Sequence, residues 1–172
     1  GENTEVTKKT TDVLIECAYF DPVTIRKGAK NLDLSSEASR RFERGADHDD
    51  VTTVLDRTAQ LITQIAGGEI CVGVVDCYPK VIKPKKILLN RKKAESSIGV
   101  AFNDKFIRST LDGLGISHKK KNDQYECIIP SFRSDLEREI DLFEELARVY
   151  GFDKIESKTT YVGDVTTILV DE

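Results

Sequence analysis

Between Leu136 and Tyr150 the apolar residues recur at helical spacing, and the helix they describe has one very wide apolar side. Leu136, Ile140, Phe143, Ala147 and Tyr150 line it, and Leu142, Leu146 and Val149 broaden it. Such a helix must be covered by a sheet or by other helices, so the chain has to fold around it in layers. Ser134 followed by Glu137 has the spacing of a capping box and predicts that the helix begins at Asp135. The other side carries Glu137, Asp141, Glu144, Glu145 and Arg148. Asp141 sits i,i+3 from Glu144 and i,i+4 from Glu145, and each like-charge pair costs an isolated helix roughly 0.2–0.5 kcal/mol. Two readings stay open. The acids are a solvated face softened by Arg148 and by the helix dipole, or they are oxygen ligands for a hard cation such as Mg²⁺.

The rest of the chain supplies the layers. Residues 12–20, "DVLIECAYF", alternate like a strand up to Asp21-Pro22, and "PVTIRKGAKNL" follows as a helix with Pro22 in its first turn. "SSEASRRFERGAD" is a polar, arginine-rich connection punctuated by Gly45. A longer helix runs from about Asp49, with Val51, Val54, Leu55, Leu61, Ile62 and Ile65 as its stripe and Gly67-Gly68 as its stop. "EICVGVVDCY" is rich in strand formers. At "PKVIKPKKI" lysine and proline take over, which marks a domain boundary. Beyond it "ILLN" predicts a strand, and "RKKAESSIG" and "NDKFIRSTLDGLG" two helices, the second capped by Asn103. "ISHKKKNDQYECIIP" predicts a hairpin turning at Asn122-Asp123. The order β-α-α-β-β-α is that of a helix-turn-helix unit with a wing.

Composition narrows the function classes. The chain has 172 residues, a net charge of −4 and no apolar run long enough to span a bilayer. No whole-chain basic field exists, so any nucleic-acid contact must be local. It contains no methionine, and it reads as a piece of a longer protein. Cys17, Cys71, Cys77 and Cys127 form no C-x-x-C pair, which with only two histidines argues against zinc. They read as small buried hydrophobes in a reducing, cytoplasmic setting.

The string "PSFRSDLEREIDLFEELARVYGFDKI", residues 130–155, resembles the signature that ends the fifth domain of bacterial phenylalanyl-tRNA synthetase beta subunits. "ECAYFDPVTIRKGAKNLDLSSEASRRFERGAD" resembles the last portion of that subunit's editing domain. The resemblance implies an α+β chain in three parts. Residues 1–82 form a partial editing-domain α/β segment, 83–156 a winged-helix-like fifth domain, and 157–172 the start of a following linker or domain. It further implies an α₂β₂ enzyme, with a catalytic alpha subunit as partner, that charges tRNA-Phe using ATP. Asp135, Asp141, Glu144 and Glu145 would bind Mg²⁺ in a site shared with the alpha subunit. Glu16 would recognise the phenolic hydroxyl of misattached tyrosine, Ala38 would keep the editing pocket open, and Ser36 stands where many members have threonine. The rest of the editing domain would precede this segment, so catalysis is not expected of it alone. Arg40, Arg41 and Arg44, like Lys119, Lys120 and Lys121, are candidate phosphate contacts or simply solvated surface. The fold order by itself is also that of a free-standing winged-helix nucleic-acid-binding module. Against that, the second helix offers only Lys105 and Arg108 beside Asp104 and Asp112.

Overall fold

A computed structural model of the protein describes residues 4–156. The stretch 157–172, expected to open the next segment, lies outside them. The chain divides into two units. Among the described residues, one runs to Pro84 and takes in Pro130–Asp135, and the other comprises Lys85–Ile129 and Leu136–Glu156.

The first unit is helical. Helix α1 (Pro22–Leu32) begins where Pro22 needs no N–H partner, and Asp21 caps it by accepting from the Thr24 N–H at 2.8 Å. A short helix, α2 (Glu37–Phe42), occupies what the polar composition suggested was a connection. Ser36 caps it, accepting from Ser39 N–H, while Ser39 Oγ accepts from Ser36 N–H, a reciprocal pair of serines in place of the usual Ser/Glu box. Helix α3 (Val51–Ala66) stops at Gly67, whose φ of +75° a side chain would resist. Gly45, at φ +94°, lets the chain pass Ser134, whose Oγ would lie 3.4 Å from an added Cβ.

Both strand expectations fail in this unit. Residues 12–20 and 69–78 form no strand. Alternating residues become a strand only beside another backbone that takes up their N–H and C=O groups, and none pairs with them among the described residues. Side chains tie these stretches down instead. Tyr19 packs edge-on to His48, and Phe20 to Phe42. Tyr78 Oη accepts from Ile82 N–H. None of the described residues in this unit is buried, and the α3 stripe (Val54, Leu61, Ile62, Ile65) is exposed. Cys71 and Cys77 are exposed as well, contrary to their expected burial, whereas Cys127 is fully enclosed.

The second unit holds the core. Strands β1 (Lys85–Asn90), β2 (Ser117–Lys121) and β3 (Gln124–Ile129) form an antiparallel sheet of order β1-β3-β2. Helices α4 (Arg91–Ile98), α5 (Asp104–Gly113) and α6 (Glu139–Tyr150) complete it. Architecture is therefore α+β, with the predicted element order. Asn103 caps α5 as expected, accepting from Phe106 N–H at 2.8 Å. Asn122 makes the hairpin turn at φ +57°, a conformation asparagine tolerates. Register puts Ile87 opposite Cys127 and Leu89 opposite Tyr125 on one face, where Leu142, Phe143 and Leu146 join them in the core.

Two polar ties fasten this core. Glu139 Oε1 accepts from the Asn90 N–H at 2.8 Å while Oε2 meets Lys93 Nζ at 3.2 Å, pinning α6 to the β1–α4 junction. Asp104 gathers Lys120, the buried Tyr125 hydroxyl at 2.8 Å and Arg91 at 3.4 Å. Lys120 and then Tyr125 hold the Asp104 carboxyl down to about 2, whereas burial and the bond to Asp104 push Tyr125 up to about 12.

Glu139→Ala is expected to lower unfolding free energy by about 1–3 kcal/mol, because it strands the Asn90 N–H. Glu139→Gln, which still offers an acceptor, should recover most of that in urea titrations; equal losses would refute the tie. The Asp104 contribution is full above its ordinary value of 3.8 and drains away as pH falls toward about 2. Melting temperature should therefore drop across that window, and Asp104→Asn should flatten the drop. An unchanged acid limb would show that the hub does not matter.

Candidate functional site

The segment from Arg133 to Tyr150 carries most of the chemistry that the sequence marks out. Arg133 grips Asp135 with Nε at 2.9 Å and Nη2 at 2.6 Å, a bidentate pair. Leu136 is buried, and its carbonyl accepts from Lys85 Nζ at 3.1 Å.

The helix starts at Glu139, four residues later than the Ser134/Glu137 spacing predicts. The reason is chemical. Arg138 holds the N-cap position but has no acceptor to offer, so the cap comes from within. Asp141 Oδ2 reaches back to the N–H groups of Glu137 (2.9 Å) and Arg138 (2.7 Å). Those two bonds, Glu137 first, hold the Asp141 carboxyl below its usual range. Glu137 consequently lies outside the helix and meets Lys85 at 3.8 Å. The predicted apolar side also narrows. Leu142, Phe143, Leu146 and Ala147 are buried, but Ile140 is 49% and Val149 44% exposed.

The remaining acids divide. Glu145 is nearly covered and pairs with Arg148, Nη2 to Oε2 at 2.5 Å. Glu144 is exposed and makes no hydrogen bond or ion pair among the described residues. With Asp141 it edges a shallow groove of about 310 Å³ whose apolar part is Ile98, Ile140, Phe143 and Ala147.

Carboxylate oxygens are the right donors for a hard cation, yet these are not assembled as a ligand set. Asp141 is occupied as a cap, Asp135 and Glu145 by arginines. Among the described residues no three His, Cys, Asp or Glu side chains converge into a metal-holding group.

In the first unit Glu16, Ser36 and Ala38 are all exposed. Ser36 spends its lone pair on the α2 cap and keeps its O–H to donate. Glu16 forms no ion pair among the described residues. Arg40, a candidate phosphate contact, meets Glu37 at 3.3 Å and Ser35 Oγ at 3.2 Å. Arg41 and Arg44 are exposed beside it. The residues that sequence reasoning missed are Glu139 and Asp104, whose partners lie far along the chain. Only the first-turn position of Asp104 was visible, and it signals nothing beyond the helix dipole; a start at Asp135 puts Glu139 in the second turn. No described helix is long and apolar enough to cross a membrane.

Comparison with known proteins divides the chain in a similar way. Residues 1–67 match the B3/4 domain family, and residues 87–152 match the tRNA synthetase B5 domain family. The phenylalanine–tRNA ligase beta subunit of Thermotoga maritima is 44% identical over 162 residues, covering 94% of this chain and 20% of the relative. That of Syntrophotalea carbinolica is 44% identical over 159 residues, covering 90% and 20%. The Halalkalibacterium halodurans subunit is 40% identical over 166 residues, covering 96% and 20%. The chain spans about a fifth of the length of these relatives. Two domain families met in order, with identity sustained across both, establish that this chain belongs to the beta-subunit family of phenylalanine–tRNA ligases.

Proposed function

We propose that the chain works as part of an ATP-dependent phenylalanine–tRNA ligase, in an α₂β₂ assembly in the cytoplasm. In it the first unit contributes to editing of Tyr-tRNA-Phe and the second is a winged-helix-like docking module. The observation that carries this is the succession of a B3/4 segment and a B5 segment on one chain. The β-α-α-β-β-α order and the small antiparallel sheet support the winged-helix reading. Boundaries at 82 and 156 remain the domain limits of this reading.

The editing role has a physical motive. A site shaped for phenylalanine cannot strongly reject the same side chain with one added hydroxyl, so selection needs a second pocket that requires the hydroxyl. Glu16 supplies a carboxylate to accept from a phenol, Ser36 a hydroxyl with a free proton, and Ala38 a small side chain that leaves room. In the assembled ligase, Glu16→Ala should slow deacylation of Tyr-tRNA-Phe by tenfold or more and leave phenylalanine charging near wild type. Parallel losses in both assays would mean misfolding and dispose of the role.

Mg²⁺ is read as bound by the carboxylates of Asp135, Asp141, Glu144 and Glu145 once the alpha subunit contributes further donors. Glu144 is the ready member of the set, and Glu145 must exchange Arg148 for the ion. When bound, the ion would supply charge neutralisation between the subunits. Glu144→Ala with Glu145→Ala should weaken Mg²⁺-dependent association of the two subunits, read by analytical ultracentrifugation across a Mg²⁺ series. Association that ignores both the ion and the substitutions would reject the assignment.

A further inference from the structure

The second unit is electrically two-sided. Residues 85–129 contain ten Lys and Arg against five Asp and Glu, whereas residues 136–156 contain three against seven. Four of those seven acids, Glu139, Asp141, Glu144 and Glu145, belong to α6, which packs on the core face of the sheet. Register places three of those ten cations, Lys86, Lys119 and Lys121, on the other face. Lys86 lies beside Ile128, and Leu88, Glu126 and Lys119 stand in one row across the three strands, with Lys121 two residues further along β2. No helix of this unit covers these side chains. Lys86, Lys119 and Lys121 are exposed, and Leu88 between them is 55% exposed.

Only one acid stands among them. Glu126 pairs with Lys86 at 2.8 Å, while Lys119 and Lys121 make no ion pair among the described residues. Lys86 first, then Lys119 and Lys121, draw the Glu126 carboxyl below its usual range, so the three lysines act as one positive field. Edge strands often carry lysine to prevent strand pairing, but any polar side chain serves that end, and it does not account for Leu88 left open between the charges. Residues i and i+2 on a strand lie about 7 Å apart, and strands two removed about 10 Å. A repeating anion can span that grid; a single carboxylate cannot. No aromatic side chain stands on this face, so base stacking is not its means of recognition.

We propose that the open face of the β1-β3-β2 sheet is a docking surface for the sugar-phosphate backbone of RNA, gripped by Lys86, Lys119 and Lys121 with Leu88 against the sugars. This rests on the reading of the chain as part of a tRNA-charging enzyme. Contact is sequence-indifferent and salt-sensitive, because each neutralised phosphate releases counterions.

Fluorescence anisotropy of a labelled tRNA transcript, titrated with the chain at about 50 and 200 mM salt, tests it. The combined variant Lys86→Gln, Lys119→Gln, Lys121→Gln should bind at least tenfold more weakly. Its slope of log Kd against log salt should fall by about two to three. All three side chains are exposed, so its circular dichroism and melting should match wild type; glutamine also keeps both edges polar. Wild-type affinity and slope in the variant would overturn the proposal, as would absence of binding by the parent chain at low salt. Displacement by polyglutamate as effective as by unlabelled tRNA of equal charge would assign the face to an acidic protein and overturn it too. Charging is measured separately in the assembled ligase. Failure there removes the proposed function, whereas normal charging with an unaffected variant removes only this surface.

Discussion

A three-stranded antiparallel sheet has one face that must be kept from water, and in the second unit the cover is α6. Leu142, Phe143 and Leu146 close over Ile87, Leu89, Tyr125 and Cys127. Each fully buried side chain of that size contributes about 1.5–3 kcal/mol. Yet a helix of 12 residues is marginal in water on its own, so α6 exists only where its first turn is held. Leu136 is buried just before it, the Leu136 carbonyl accepts from Lys85, and Glu139 takes the Asn90 N–H. The core and the helix start are therefore one device.

That dependence explains how a stable helix tolerates so many acids. Asp141 is at the end of the helix where backbone N–H groups point outward, and it satisfies two of them. Glu139 is similarly placed and is matched by Lys93. Glu145, one turn later, has Arg148. The like charges that collide on a bare helical wheel are each spent on a different local partner. Glu144 alone is left to face outward. In the proposed role, an ion or a partner subunit would meet an acidic face whose repulsion is already relieved, and it would compete with Arg148 for Glu145.

Much of this was readable in the sequence, and the parts that were not share a cause. The Asn103 cap, the Asn122 turn, Pro22 at a helix start and Gly67 at a helix end depend on a few neighbouring residues, so local chemistry is enough to place them. The start of α6 was misplaced because Ser134 satisfies the spacing rule, but Arg133 and Asp135 pair with each other and the chain first buries Leu136. Helix α2 was overlooked because its capping partner is a second serine, outside the Ser-to-Glu pattern. Ile140 and Val149 were placed in the core because a wheel assumes cover all along one side; the sheet reaches only part of it. The roles of Glu139 and Asp104 depend on partners tens of residues away or on another element, and no periodicity encodes that.

The same reasoning separates the two candidate sites. The strand-like runs 12–20 and 69–78 carry the right alternation, and α3 the right stripe, but no described residue of that unit is buried. Selecting for a hydroxyl requires that its absence be costly, and an unpaired carboxylate is costly only when removed from water. Exposed as it is, Glu16 would hydrate equally well with either substrate beside it. In the proposed editing role, its discrimination would therefore come from whatever covers the apolar side chains around it. The same cover that would desolvate Val13, Leu14 and Phe20 would give Glu16 its selectivity, so under the proposed editing role stability and selectivity in that unit would rise together.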